Sequence, residues 1–180
     1  MDEAERLDQL TVRFTRVFRA SRERVWAYLV DGDKRRHWLC GGDWELKPGG
    51  EAPMEFDNPA LSAIDDLPPP RYSEETGKVV HMGAIQEIEA PRRLVLLWVE
   101  HDGSRSEVSF ELEGDAGQTT LTLTHRRLSS EDMLSGVSAG WHAHLDIYIA
   151  VLDGVQPPSF WSRFNELAEA VYQHRISADP

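Results

Sequence analysis

Cysteine is almost absent from the sequence, because Cys40 is the only one among 180 residues. A single thiol cannot form a disulfide within the chain, and it cannot supply the several thiolates of a structural zinc site. We therefore expect Cys40 to have a structural role, and we expect no metal site built on cysteine.

Long apolar runs are missing as well. The longest fully apolar stretch is the six residues 94–99, whereas a transmembrane helix needs about 20. The first ten residues carry acids and no apolar core, so they resemble neither a secretory signal nor an Arg-rich transit peptide. These features predict a soluble protein that is cytoplasmic and does not enter a membrane.

Positive charge is scarce. The 19 Lys and Arg residues stand against 31 Asp and Glu residues, which gives a formal net charge of −12. Nucleic-acid binding draws on clustered basic side chains, so we expect no nucleic-acid partner, and anionic membranes are disfavoured for the same reason. The one basic cluster, Lys34, Arg35 and Arg36, is interpreted as the solvated face of a helical turn.

The first third of the chain predicts a strand followed by a pair of helices. Apolar and polar residues alternate over about 10–18, which is typical of a half-buried strand. Ser21 is a suitable N-cap for the amphipathic helix that follows, and Asp31 with Gly32 should end it. A second short helical segment should close near Leu39.

The next segment predicts a hairpin and a long loop. A strand should begin at residues 44–46, turn back at 47–50 and pair with a strand over 51–57, where Pro53 favours a sheet edge or a bulge. Residues 58–75 are Pro-rich without periodicity, so they form either a lid or a tolerated insertion. The residues that would form a lid are Leu61, Ile64, Leu67 and Tyr72.

The remainder of the chain predicts an antiparallel meander and two helices. Four strands should lie at about 76–89, 93–101, 105–113 and 118–127, with short turns between them. A long amphipathic helix should span 130–152, because its apolar residues recur at spacings of three and four. A terminal helix should follow, capped by Ser159, with an apolar stripe formed by Trp161, Phe164, Ala168 and Val171.

Several short segments carry a resemblance to a known family. They are Val25-Trp26, Arg36-His37-Trp38, residues 44–50, residues 87–98, Gly140-Trp141, and the run from Pro157 to Trp161. Together with the order of elements, they resemble the START-like, or SRPBCC, superfamily with its helix-grip fold. More closely, the chain is similar to the branch named after the C-terminal domain of the heat-shock-protein-90 ATPase activator homologues.

This resemblance implies an α+β fold in which a curved antiparallel β-sheet of about six to seven strands wraps on a long C-terminal α-helix. Two short helices should follow strand one. We expect a single START-like domain over 1–180, with a core at about 10–153 and a C-terminal helical extension at 159–175. The superfamily includes lipid and hormone binders, polyketide cyclases, oxygenase domains and chaperone activators, and the fold does not select among them.

Histidines are the main candidates for chemistry. His142 and His144 lie two residues apart, about 200° around a helix, so they cannot bind one metal ion from one face. We expect no metal, no cofactor and no catalytic residue, because no nucleophile motif and no phosphate loop occurs. His144 lies between Trp141 and Tyr148 and should enter a cavity, whereas His142 should sit at the flank. His125 is expected to provide peripheral packing near a strand end.

The first functional hypothesis is a binding module without chemistry of its own, which encloses a hydrophobic or amphipathic small molecule between the sheet and the long helix. The alternatives are a chaperone-interaction module and a cyclase-like or hydrolase-like enzyme that uses His144 or a nearby carboxylate in the cavity. We expect a monomer or homodimer, with a cavity of about 300 to 1,000 Å³. Its predicted lining is Trp38, Trp44, Met54, Phe56, Trp98, Phe110, Leu123, Trp141, His144, Leu145 and Tyr148.

Overall fold

A computed structural model of the chain describes residues 4–62, 66–72, 77–100 and 102–168. The strands are β1 (Glu5–Asp8), β2 (Thr11–Phe18), β3 (Glu51–Phe56), β4 (Val79–Glu89), β5 (Arg93–Val99), β6 (Arg105–Gly114) and β7 (Thr119–Arg126). The helices are α1 (Arg22–Val30), α2 (Gly32–Arg35), α3 (Glu131–Asp153) and α4 (Phe160–Leu167), and short 3₁₀ turns lie at Asn58–Leu61 and Pro70–Tyr72.

The seven strands form one antiparallel sheet in the order β1-β2-β7-β6-β5-β4-β3. Strands β3 to β7 follow one another as a meander, and β2 joins the sheet by pairing with β7. The long helix α3 buries an apolar face that includes Trp141, Leu145 and Tyr148. The predicted α+β fold, with a long C-terminal helix and two short helices after the first long strand, is confirmed.

The predicted helix ends follow from local sequence. Ser21 accepts a hydrogen bond from the Arg24 amide at the start of α1, and Ser130 accepts one from the Met133 amide at the start of α3. Gly154 ends α3 with a φ of 68°, a left-handed conformation that favours glycine. The N-terminal β1 was missed, because its four residues are all exposed and show no alternation.

Residues 44–46 do not form the predicted strand. The segment is irregular and makes one backbone hydrogen bond to β3, from the Glu45 amide to the Glu51 carbonyl. The Trp44 indole instead donates to the Pro53 carbonyl at 2.9 Å, which fixes the segment through a side chain. Alternation over only three residues is too short to predict a strand, and here a side-chain hydrogen bond determines the path of the chain instead. The prediction of Pro53 on a sheet edge is confirmed, because β3 is the last strand.

Arg35 is completely buried, so its assignment to a solvated face is wrong. All five N–H groups of its guanidinium donate to backbone carbonyls. Backbone acceptors leave no signature in the side-chain pattern, so the sequence did not predict this burial. Its neighbours Lys34 and Arg36 are exposed, as predicted. The guanidinium carbon lies 3.4 Å from the centre of the Trp44 ring, and burial lowers the pKa of Arg35. The accepting carbonyls belong to Leu29, Val30, Cys40, Gly41 and Gly42.

We predict that Arg35→Lys lowers the free energy of unfolding by about 3 kcal/mol. An ammonium has three N–H donors, so at least two of the buried carbonyls would lose their partner. Arg36→Lys is the matched control, because Arg36 is exposed and its replacement should change stability by less than about 0.5 kcal/mol. Urea denaturation at one pH compares the variants with the wild type, and an unchanged midpoint for Arg35→Lys would show that the buried guanidinium does not stabilise the fold.

Candidate functional site

A pocket of about 160 Å³ lies where the end of β5, the first half of α3 and the aromatic face of α4 meet. Trp98 and Glu100 line it from the sheet side, Gly136 and Gly140 from α3, and Trp161 from α4. A second space of about 110 Å³ adjoins it and shares Trp98, Glu100, Gly140 and other lining residues with it. The two spaces together extend from α4 inward to the face of the sheet.

Four of the predicted lining residues lie at these spaces. Phe56, Trp98 and His144 line the larger one, and Trp141 lines the smaller one together with them. The others are buried side chains that line neither space: Trp38, Trp44, Met54, Phe110, Leu123, Leu145 and Tyr148. Their role as ligand contacts stays a prediction.

Tyr148 shows why these residues pack together away from the pocket. Its ring stacks on Trp38 at 3.9 Å with an interplanar angle of 5°, and its hydroxyl donates to the Val25 carbonyl. Tyr148 lies one turn beyond His144 on α3, so this part of the helix contacts α1 at Val25 and the turn after α2 at Trp38. The pocket is therefore confined to the first half of α3 and its neighbours.

The sequence reasoning missed the contribution of α4 and of two glycines. Trp161 was assigned only to an apolar stripe, yet it is 1% exposed and faces the pocket. Gly136 and Gly140 are four residues apart, so they leave one face of α3 without side chains. A Cβ at position 136 would lie 2.5 Å from the Tyr72 hydroxyl oxygen. The spacing of these glycines was the available signal.

His144 is held in one tautomer by the backbone. Its Nδ1 lies 2.7 Å from the Trp38 carbonyl oxygen, which can only accept, so Nδ1 carries the proton. The neutral ring therefore presents the lone pair of Nε2, and no described residue donates to that atom. Burial lowers the pKa of His144 to about 4, although the hydrogen bond to Trp38 acts in the opposite direction.

Histidines 125 and 142 occupy different environments from those predicted. His142 is buried beside Phe14 instead of lying at the flank, and its Nε2 is 3.8 Å from Asp146. His125 is 1% exposed, so the expectation of peripheral packing is also wrong. His125 lies on the same face of β7 as Leu121 and Leu123, but the alternation of the strand could not show the polar partners that come from other elements.

His125 is the centre of a buried polar network. The Trp141 indole donates to Nδ1 at 2.9 Å, so the proton of the neutral ring is on Nε2. Nε2 lies 2.9 Å from Glu100 Oε1 and 2.6 Å from Ser106 Oγ, and the Ser106 hydroxyl donates to Glu100. In a nucleophile–base–acid relay the acid and the hydroxyl contact opposite ring nitrogens. Here both contact the same nitrogen, which already carries a proton, so the network is not such a relay.

Two buried polar atoms in the pocket wall have no hydrogen-bond partner within the described part of the chain. They are the indole Nε1 of Trp161 and the amide Oδ1 of Asn58. Buried polar groups are nearly always paired, so two in one pocket are unusual. The ionisable side chains that line the pocket from the described residues are Tyr72, His81, Glu100, Asp132 and His144, and none of the lining residues is Lys or Arg.

Helix α4 is fixed in place by the loop that precedes β4. Both oxygens of Asp66 accept hydrogen bonds from Ser162, from its amide and its hydroxyl at 2.8 Å each. Ser159 is the N-cap residue of α4, as predicted, but its hydroxyl donates to Asp66 and makes no capping bond to the helix. Burial opposes ionisation of Asp66, but these hydrogen bonds outweigh it and hold the pKa of the carboxyl below its usual value.

The described parts of the loop give a mixed result for the proposed lid. Tyr72 packs on Trp161 and Phe164, with ring centres 6.0 and 5.2 Å away, and it borders the pocket. Leu67 is 73% exposed and does not take part. Ile64 and, in the terminal stripe, Val171 lie outside the described residues. Tyr72 therefore forms a wall of the pocket together with α4.

Neither a metal-binding cluster nor a membrane-spanning helix occurs among the described residues. No group of three or more His, Cys, Asp or Glu side chains in this part of the chain is arranged to hold a metal ion. No helix within it has the length and apolar character needed to cross a bilayer.

Comparison with known proteins identifies relatives along most of the chain. The model of the family described as Activator of Hsp90 ATPase homolog 1-like protein matches residues 19–152. A Bordetella parapertussis protein, solved by NMR, is 38% identical over 97% of this chain and 91% of its own, with a TM-score of 0.81. No curated protein matches the sequence.

Two more distant structures share the fold. CalU16 from Micromonospora echinospora, in its crystal structure, is 24% identical and has a TM-score of 0.65, with 93% of this chain and 89% of that chain covered. A Mesorhizobium loti protein is 18% identical with a TM-score of 0.64, covering 81% and 98% of the two chains. At these identities the likeness concerns the fold alone.

We predict that His144 makes the protein less stable as the pH falls. The folded pKa of about 4 lies below the usual value of 6.5, so protons bind preferentially to the unfolded chain between these two values. Between pH 7 and pH 5 the wild type should lose about 2 kcal/mol more stability than His144→Gln, which cannot titrate. Urea denaturation at both pH values measures this difference.

The control for this experiment is His37→Gln, because His37 is exposed and its replacement should leave the pH dependence of the wild type unchanged. The buried histidines 125 and 142 are present in all three proteins, so their contribution cancels in the comparison. Identical pH dependence in the wild type and His144→Gln would contradict the assignment of a buried neutral imidazole.

Proposed function

The chain belongs to the Activator of Hsp90 ATPase homolog 1-like family, and on that premise we propose that it binds a small apolar or amphipathic molecule in the pocket between the sheet, α3 and α4. The unpaired Trp161 Nε1 and Asn58 Oδ1 in the pocket wall support this proposal most strongly. An unsatisfied buried polar group costs about 1 to 3 kcal/mol, and a ligand that pairs with it would recover part of that cost. The protein carries its ligand in the cytoplasm and performs no chemistry on it.

The volume of the pocket favours a small ligand. An apolar cavity of about 150 Å³ is large enough to hold benzene, and the larger space here is about 160 Å³. Pockets for larger ligands usually exceed about 300 Å³. Among hydrophobic molecules, the geometry therefore supports single-ring or short-chain compounds ahead of long-chain lipids.

The ionisation of His144 favours binding over catalysis. A general base works best when its pKa lies near the working pH, and burial holds the pKa of His144 at about 4. Such an imidazole is a weak base at neutral pH, although its Nε2 remains a good hydrogen-bond acceptor. The nearby His125 is committed to Trp141 and to Glu100. These groups support a role in holding a ligand.

Gly140 offers a matched pair of variants that tests the pocket directly. A Cβ at this position would meet only Phe164, with its Cε2 at 4.0 Å, so a larger side chain can extend into both spaces. We predict that Gly140→Leu reduces the affinity for toluene at least tenfold. Gly140→Ala should retain binding, and it should raise the stability of α3 by up to about 1 kcal/mol.

Calorimetric titration with toluene and thermal unfolding are measured together on the wild type and both variants. A folded Gly140→Leu that binds toluene as well as Gly140→Ala does would place the site elsewhere. A wild type that binds neither toluene nor any other single-ring compound would contradict the proposed function itself.

A second candidate is contact with a chaperone, which the description of the matching family favours. In this case the protein would stimulate the ATPase activity of Hsp90, and the stimulation would be unchanged in Gly140→Leu. Ligand-dependent stimulation that is lost in this variant would instead connect the two roles. We place the binding role first because it is supported by side chains of this chain, whereas the chaperone role is supported by the family description.

A further inference from the structure

We infer that the pocket selects a neutral aromatic molecule that carries a hydroxyl group, with its donor directed at His144 Nε2 and its acceptor at Trp161 Nε1. This inference rests on the proposed function and deepens it by naming the class of ligand. It follows from three properties of the pocket wall, which are the donor or acceptor character of its unpaired groups, its aromatic composition and its charge.

The first property is that the pocket offers both an acceptor and a donor. His144 donates through Nδ1 to the Trp38 carbonyl, so its other nitrogen can only accept from a ligand while the ring is neutral. An indole N–H can only donate, and that of Trp161 is buried without a partner among the described residues. The Asn58 Oδ1 adds a second acceptor. A hydroxyl group both donates and accepts, so it complements this arrangement better than a carbonyl, which only accepts, or a protonated amine, which only donates.

The second property is the aromatic composition of the wall. The rings of Phe56, Tyr72, Trp98, Phe160 and Phe164 all border the larger space. Aromatic side chains bind another ring favourably at their edges and offset faces. The His144 ring itself lies 4.4 Å from the centre of Phe160, so the acceptor is placed within this aromatic surface. A flat ring with a hydroxyl substituent fits such a wall.

The third property is the charge of the pocket. Among the described residues that line it, Glu100 and Asp132 are acidic and none is Lys or Arg. A carboxylate or phosphate on the ligand would lose its hydration without gaining a cationic partner, and it would face two acidic side chains. Anionic compounds of the same size should therefore be excluded, and a neutral hydroxyl group remains.

Four compounds of similar size separate the three properties. Phenol donates and accepts, anisole only accepts, toluene does neither, and benzoate carries a negative charge at pH 7. We expect phenol and toluene to bind the wild type and benzoate to show no binding in the same concentration range. Trp161→Phe keeps an aromatic ring but removes the N–H, so it should weaken phenol binding about two- to tenfold and leave toluene within a factor of two.

The matched control is Trp26→Phe, the same replacement at a residue that lines neither space, and it should leave both affinities unchanged. Should Trp161→Phe fail to fold, the wild type still provides a readout. Six tryptophans give six indole N–H signals in a nitrogen-15 correlation spectrum, and phenol should shift the Trp161 signal downfield, whereas toluene should not.

The outcomes distinguish this inference from the function on which it rests. If none of the four compounds binds, the proposed function fails. If toluene and phenol bind but Trp161→Phe weakens both equally, the pocket binds apolar molecules and the inferred hydroxyl recognition is wrong. Tighter binding of benzoate than of phenol would overturn the inferred selection of a neutral ligand.

Discussion

The hydrogen bond from the His144 imidazole to the Trp38 carbonyl is the contact on which the rest of the site depends. It joins the long C-terminal helix to the turn after α2, and it decides which ring nitrogen is left to face the pocket. The position of Trp38 is fixed by its stacking on Tyr148 and by the hydrogen bond from its indole to the Tyr28 carbonyl. The turn itself is fixed by Arg35, whose guanidinium binds the carbonyls of the chain on both sides of it. A buried guanidinium that binds backbone carbonyls thus fixes the turn that carries the Trp38 carbonyl, the acceptor of the His144 hydrogen bond.

The pocket lies between the sheet, the first half of α3 and α4. The second half of α3 contacts α1 and the turn after α2 through Tyr148, which donates to the Val25 carbonyl and stacks on Trp38. The first half carries Gly136 and Gly140 and faces α4 instead. Since α4 is anchored by Asp66 and by contacts with Tyr72, its aromatic side chains form a wall at a distance from the sheet. The indole of Trp161, which has no hydrogen-bond partner among the described residues, lies in this wall.

The fold was predictable from the sequence because its strands and helices have local signatures. Alternation defined β2 and the meander, capping residues and apolar stripes defined α1 and α3, and the resemblance to a known family supplied the arrangement. The errors concern side-chain contacts that periodicity does not encode. Arg35 looks like a surface residue in its own helical turn, yet its guanidinium binds carbonyls five to seven residues away, and Asp66 caps a helix that begins 94 residues later at Phe160. His144 and Trp98 line the pocket as the sequence predicted, whereas Leu145 is buried and lines neither space, so its predicted contact with a ligand stays a prediction. Periodicity shows which face of a helix or strand is buried. It does not show whether the side chains on that face pack against other side chains or border a pocket.

The most direct measurement is a crystal structure of the protein grown with 4-bromophenol, with the bromine located by its anomalous signal. We expect one bromine position between α3 and α4, with the phenol oxygen at hydrogen-bond distance, about 2.8 Å, from His144 Nε2. We also expect the Trp161 indole to direct its N–H toward the same oxygen or an adjoining ordered water. A fully occupied compound elsewhere on the protein, with the pocket closed by the side chains of Phe160 and Trp161, would contradict the proposed site.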